Sequence, residues 1–163
     1  MNGVKSPMPG VVYPPQWHID KYARLGVLGQ RGLIDALMES LEEFSERVAL
    51  MGPDGDLTYG ELDERSNRFA AALLDLGLQP LDRVIFQVVN SNEVVIATLA
   101  CWKANLIPVC TLAAHREREI GYLAQHAKAK AHFIGIDEGF DFVGFAARIQ
   151  ADIESMEHTI VVR

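Results

Sequence analysis

A chain of 163 residues fits one domain. Its 49% hydrophobic and 23% charged residues are the balance of a globular protein and exclude a disordered or fibrous one. Lys plus Arg number 15 against 22 Asp plus Glu, giving a net charge of −7 that repels phosphate backbones; with no basic cluster, nucleic acid is excluded as a partner.

Two cysteines, Cys101 and Cys110, make neither a disulfide framework nor a zinc site. Each lies in an apolar run and reads as a small core residue of a protein in a reducing compartment. Met1 to Val12 has no apolar signal core. The most apolar run, Val94 to Trp102, falls well short of the ~20 residues that span a bilayer. The expectation is a soluble, cytoplasmic protein with no membrane span.

In chain order, residues 1–31 read as an N-terminal arm. Pro7, Pro9, Pro14 and Pro15 forbid regular helix there, and Tyr13, Trp17 and Tyr22 are placed to pin the arm to the body. Gly26, Gly29 and Gly32 follow no strand and miss the GxGxxG spacing, which argues against a dinucleotide loop. The body is expected over 32–163. Leu33, Ile34, Leu37, Met38, Leu41 and Phe44 recur on one helical face, with Asp35, Glu39, Glu42 and Glu43 opposite. Val48 to Met51 reads as a short strand. Pro53-Asp54-Gly55-Asp56 is a turn and Leu57 resumes extended chain, so a hairpin is expected.

Thr58 and Glu61 form a capping box that opens the next helix. Leu62, Phe69, Ala70, Leu73 and Leu76 give its stripe, and Gly77 stops it. Arg83 to Val89 reads as a buried strand. Asn90 with Glu93 offers a second capping box for a helix running to about Ala104, with Asn105 as its left-handed cap. Then come a strand over Ile107 to Thr111, a helix over Arg116 to His126, a strand over Ala131 to Ile136, a helix over Phe140 to Ser155 and a strand over Thr159 to Val162. Strict alternation of helix and strand from Thr58 predicts an α/β fold, a mostly parallel sheet with flanking helices and right-handed crossovers.

The chain has no Walker loop and no GxSxG elbow. His18, His115, His126, His132 and His158 lack zinc-ligand spacing, and no Asp/Glu spacing selects an acid–base pair. No catalytic, cofactor-binding or metal-binding residue is therefore assigned. His126 closes a helix, where its charged form suits the dipole; His132 and His158 flank strands and read as surface or edge residues. The one local candidate for substrate binding is His115-Arg116, just past the carboxyl end of a parallel strand, where open α/β sheets receive ligands. Arg offers a fork to carboxylate or phosphate. The competing reading has His115 capping the following helix and Arg116 paired with Glu119 or Glu93.

Leu57-Thr58-Tyr59-Gly60-Glu61-Leu62 resembles the early (S/T)YxEL signature of the AMP-forming acyl and aryl-acid ligases, the adenylate-forming superfamily. Leu99 to Val109, with Pro108 in its strand and Asn105 where Gly is usual, resembles the second signature. Leu112-Ala113-Ala114-His115-Arg116 followed by Glu119-Ile120, the Pro14-Pro15 arm with Trp17, and Gly139-Phe140-Asp141-Phe142 are similar to the 2,3-dihydroxybenzoate-AMP ligase branch, close to the acyl-CoA synthetases. The likeness runs from about Pro14 to Arg163.

The resemblance implies a two-step ligase. A carboxylic acid, aromatic, alicyclic or fatty, attacks ATP in the presence of Mg²⁺ to give an acyl-adenylate. The thiol of CoA or of a carrier-protein phosphopantetheine then displaces AMP. It also implies that the phosphate-gripping loop, the adenine segment, the acid pocket and the catalytic Lys lie downstream, so that this stretch, an incomplete N-terminal subdomain, binds no cofactor and is inactive alone. The closing strand at Val161-Val162-Arg163, with no cap after it, fits a cut or shortened polypeptide. The rival reading is a non-catalytic module that self-associates or docks a partner through uncovered apolar surface, with a homo-oligomer as one outcome. An unrelated dehydrogenase-type domain lacks its glycine fingerprint here.

Overall fold

The structure is a computed structural model and describes residues 10–29, 32–52, 55–136 and 139–162. The elements run α1 (Gln16–Arg24), α2 (Leu33–Glu43), β1 (Val48–Leu50), β2 (Leu57–Thr58), α3 (Tyr59–Asp75), β3 (Arg83–Gln87), α4 (Asn92–Lys103), β4 (Ile107–Cys110), α5 (Glu117–Ala127), β5 (Ala131–Ile134), α6 (Phe142–Asp152) and β6 (His158–Val161). β1 and β2 pair antiparallel as the expected hairpin. Pro53 and Asp54 of its turn lie outside the described residues, as do Pro7 and Pro9, while Gly55 takes a positive φ of 108°.

β3 to β6 form one parallel sheet in the order β4-β3-β5-β6. Side-chain alternation divides the core into two layers. Val84, Phe86, Ala131 and Phe133 point to α3 and α4, where they meet Leu73, Ala97, Ala100 and Cys101. Ile85 points the other way, to Ile120, Ala124, Phe145 and Ile149 of α5 and α6. Helices therefore cover both faces, which is why the central strands read as continuous apolar runs. Phe133 anchors the first layer, its ring centroid 4.8 Å from Phe86 and 5.5 Å from Phe69.

α3 and α4 are also joined by a buried charge. The Lys103 ammonium donates to the Asp63 carboxylate at 2.6 Å, Ser66 Oγ at 2.7 Å, Asn67 Oδ1 at 2.8 Å and the Asp63 carbonyl at 3.1 Å.

Local signals act as expected at several ends. Thr58 Oγ1 accepts from Glu61 N and the Glu61 carboxylate accepts from Thr58 N. Gly77 and Asn105 follow their helices at φ 96° and 57°. Elsewhere the structure corrects the sequence. The arm holds a helix, α1, that begins after Pro15, whose place at the N-cap gives up no intrahelical N–H. Trp17 lies tilted against His18 with ring centroids 3.9 Å apart and stays 61% exposed, and α1 buries no residue. The cap of α4 is Ser91, whose hydroxyl accepts from Val94 N, not Asn90. Leu76 is exposed because it lies past the last packed turn of α3. Cys110 is exposed at the end of edge strand β4, whereas Cys101 is buried. His132 is fully buried because β5 is an inner strand covered on both faces.

Candidate functional site

Between β3 and β5 the chain reverses its direction of winding. From β3 it passes through α4 to β4 on one side, then through α5 back across β3 to β5 on the other. The connections leaving the carboxyl ends of β3 and β5 diverge to opposite faces of the sheet, and a crevice opens between them. Such a switch point is where open α/β sheets bind ligands. A cavity of about 420 Å³ lies there, lined by Val88, Val89, Ser91, Glu93, Gly135, Ile136 and Val162. A larger cavity of about 630 Å³ lies near the amino end of the sheet, but Lys128, Lys130, Asp152 and Glu154 give it mixed charge without a convergent set.

Beside the crevice stands a buried polar chain. Gln87, the last residue of β3, is fully buried. Its Nε2 donates to the His115 carbonyl at 2.7 Å and, at 3.4 Å, to that of Ala113. Its Oε1 lies 3.0 Å from Nε2 of His132. Since the amide nitrogen is committed to carbonyls, Oε1 must accept, and His132 carries its proton on Nε2. Nδ1 of His132 is buried with no partner among the described residues. Burial pushes the imidazole down from 6.5 to about 4, so it is neutral at ordinary pH.

The turn those carbonyls belong to carries both residues singled out from sequence. The His115 ring is half-buried, and its Nδ1 lies 3.5 Å from Leu112 N. The Arg116 guanidinium turns inward: Nη1 donates to the Ala113 and His115 carbonyls at 2.9 and 2.8 Å, and its centre sits 4.0 Å from the Phe140 ring centroid, a cation–π distance. Glu119 bonds the backbone N–H of Arg116 at 3.1 Å, and that bond is the main cause holding its carboxyl below the usual range. Arg116 is thus the N-cap residue of α5. Arg148 reaches Glu117 at 2.9 Å and ties α6 to α5 behind the turn.

The structure brings His115, Arg116, Gln87 and His132 together; His18, His126 and His158 lie on other elements. Gln87 and His132 escape a sequence reading, although a polar residue in the apolar runs of β3 and β5 is the signal that could have found them. No three His, Cys, Asp or Glu side chains converge as metal ligands among the described residues. What the arrangement offers is a crevice at the carboxyl ends of β3 and β5 and, past β4, a turn held by buried hydrogen bonds.

Residues 37–163 match the family described as AMP-binding enzyme. The chain is 40% identical over 119 residues to a salicylyl-CoA synthase / salicylate adenylyltransferase of a Streptomyces species, covering 73% of this chain and 22% of that protein. It is 30% identical over 143 residues to the 2,3-dihydroxybenzoate-AMP ligase of Bacillus subtilis strain 168, covering 87% and 26%. The apo structure of Mycobacterium smegmatis MbtA superimposes with a TM-score of 0.85 and 26% identity over 93% of this chain and 28% of that one. The chain spans 22–28% of the length of the curated relatives it matches first.

Proposed function

This chain belongs to the AMP-binding enzyme family, and we propose that it is the N-terminal part of an ATP-dependent aryl-acid ligase. The parent joins an aromatic carboxylic acid to AMP and passes the acyl group to a thiol, of CoA or of a carrier protein. A carboxylate must first acquire a good leaving group, and adenylation supplies one as pyrophosphate departs. The charge that develops on the phosphates needs Mg²⁺ and fixed donors. In this reading the groups that hold the phosphates and Mg²⁺ belong to the rest of the parent, and no step is assigned to the residues described here. Their part is to build one wall of the site.

The observation that carries this reading is the crevice at the switch point, lined by Val88, Val89, Ser91, Glu93, Gly135, Ile136 and Val162. The relatives named for salicylate and 2,3-dihydroxybenzoate support the aromatic acid. Within this reading residues 1–31 are an arm, 32–163 an incomplete α/β subdomain, and the turn with His115 and Arg116 borders the substrate side. Two unpaired cysteines suit the cytoplasm. The test is acid-dependent ATP–pyrophosphate exchange by the whole reading frame that contains this segment, with salicylate and 2,3-dihydroxybenzoate. Exchange is expected with at least one aromatic acid, and none with any of a panel would refute the reading.

A second reading, self-association, is favoured by Val12, Trp17, Leu25, Val27 and Leu33, each more than 60% exposed. Light scattering decides it: a monomer of the 163-residue chain at all concentrations refutes it.

A further inference from the structure

We propose that Gln87 and His132 are a positioning pair that sets the 113–116 turn at the carboxyl end of the sheet, past β4. The proposal rests on the reading above that this turn borders the substrate side.

The sheet alone does not hold the turn. The last ladder contacts of this segment are Thr111 N at 3.0 Å and Thr111 Oγ1 at 2.8 Å, both on the Phe86 carbonyl. Past Thr111 the chain leaves β4, and the turn is closed on itself by His115 N on the Leu112 carbonyl. Gln87 is the side chain of β3 that reaches across to it, through the carbonyls of Ala113 and His115. The same two carbonyls receive Arg116 Nη1. Gln87 from the sheet and Arg116 from the turn therefore grip the same two oxygens, and the position of one fixes the other.

At neutral pH an amide meets both demands on Gln87. It must donate to carbonyls at one end and accept an imidazole N–H at the other. A carboxylate would set oxygen against two carbonyl oxygens, and an apolar side chain would leave the two carbonyls to Arg116 alone and His132 Nε2 unanswered. With the amide nitrogen on the carbonyls, Oε1 faces His132 Nε2 at 3.0 Å and takes its proton-bearing form as partner. As core filling the pair is a poor choice, with two polar side chains fully buried and Nδ1 of His132 unpaired. Apolar residues of similar volume would pack there without that penalty. Local rules of this kind are broken where geometry serves a site.

The test has three arms. In the wild-type chain, long-range ¹H–¹⁵N spectra must show His132 protonated on Nε2, and the Nδ1–H tautomer overturns the proposal without any variant. In Gln87→Met, amide protection at 113–116 falls at least tenfold while that of β3 and β5 holds. In Gln87→Glu it falls equally at neutral pH and recovers at acid pH, where a protonated carboxyl again donates; protection unchanged in both, or a Glu variant with no pH dependence, overturns the pair. In the whole enzyme, Gln87→Met raises KM for the acid at least tenfold with kcat changed less. A loosened turn with both constants unmoved also overturns positioning. If the wild-type enzyme exchanges pyrophosphate with no acid, the ligase reading fails, and the tautomer and protection arms still judge whether the pair sets the turn.

Discussion

Lys103→Met keeps the aliphatic stem of the side chain between α3 and α4 and deletes only the ammonium. The wild-type ammonium is 4% exposed and its carboxylate partner Asp63 is 31% exposed. Deleting it strips a charged donor from Asp63 and leaves Asn67 Oδ1 short of a bond, while Ser66 keeps its own bond to the Asp63 carbonyl. Breaking a buried ion pair costs about 3–5 kcal/mol. Asp63 can recover some hydration, so the low end applies, about 3 kcal/mol. For a chain of this size each kcal/mol moves Tm by roughly 2–4 °C, so a fall of about 6–12 °C is expected. Asp63→Ala should cost at least as much, since it strands the less exposed partner. Urea unfolding with the m-value held constant measures both. A loss below about 1 kcal/mol for Lys103→Met would mean that the network is solvated, and the reasoning would fail.

His132 gives a pH signature. Its folded value, about 4, lies below the unfolded 6.5, so the unfolded chain binds the extra proton first. Stability is whole above pH 6.5 and falls by up to about 3 kcal/mol as pH drops toward 4; His132→Gln, compared by urea titration at pH 7 and pH 4, should lose that part of the slope. The lowered carboxyls of Glu117, Glu119 and Glu157 weaken the fold in the same direction, so only the difference between variants reports on His132. Thr58→Ala removes the acceptor of Glu61 N and should cost about 1 kcal/mol, read as a shifted urea midpoint. Gly77→Ala forces φ 96° on a residue with a Cβ and should cost about 1–2 kcal/mol by the same assay.

Features decided within one turn of chain were legible in the sequence. The Thr58–Glu61 box, the stop at Gly77 and the left-handed Asn105 each need only neighbours three or four residues away. The parallel sheet was legible too, because alternation of helix and strand leaves few other topologies. His132 was misread because an inner strand has no wet face, so period-two alternation cannot show which polar residue is buried. The arm was misread because proline acts on the residues before it and frees those after it. Asn90 and Ser91 are both good caps, and the choice between them is made by where β3 ends. The place of His115-Arg116 past β4 was readable; the inward turn of the guanidinium was not, because Phe140 and the carbonyls it meets are assembled only by folding. The Lys103–Asp63 pair, 40 residues apart, left no local trace.

In the function proposed above, this chain builds a wall of the site and the rest of the parent supplies the reacting groups. Pyrophosphate exchange by the purified 163-residue chain, run beside the whole reading frame with the same acid, tests it most directly. Turnover is expected from the long polypeptide and only background from the short one. Acid-dependent turnover by the short chain would contradict it.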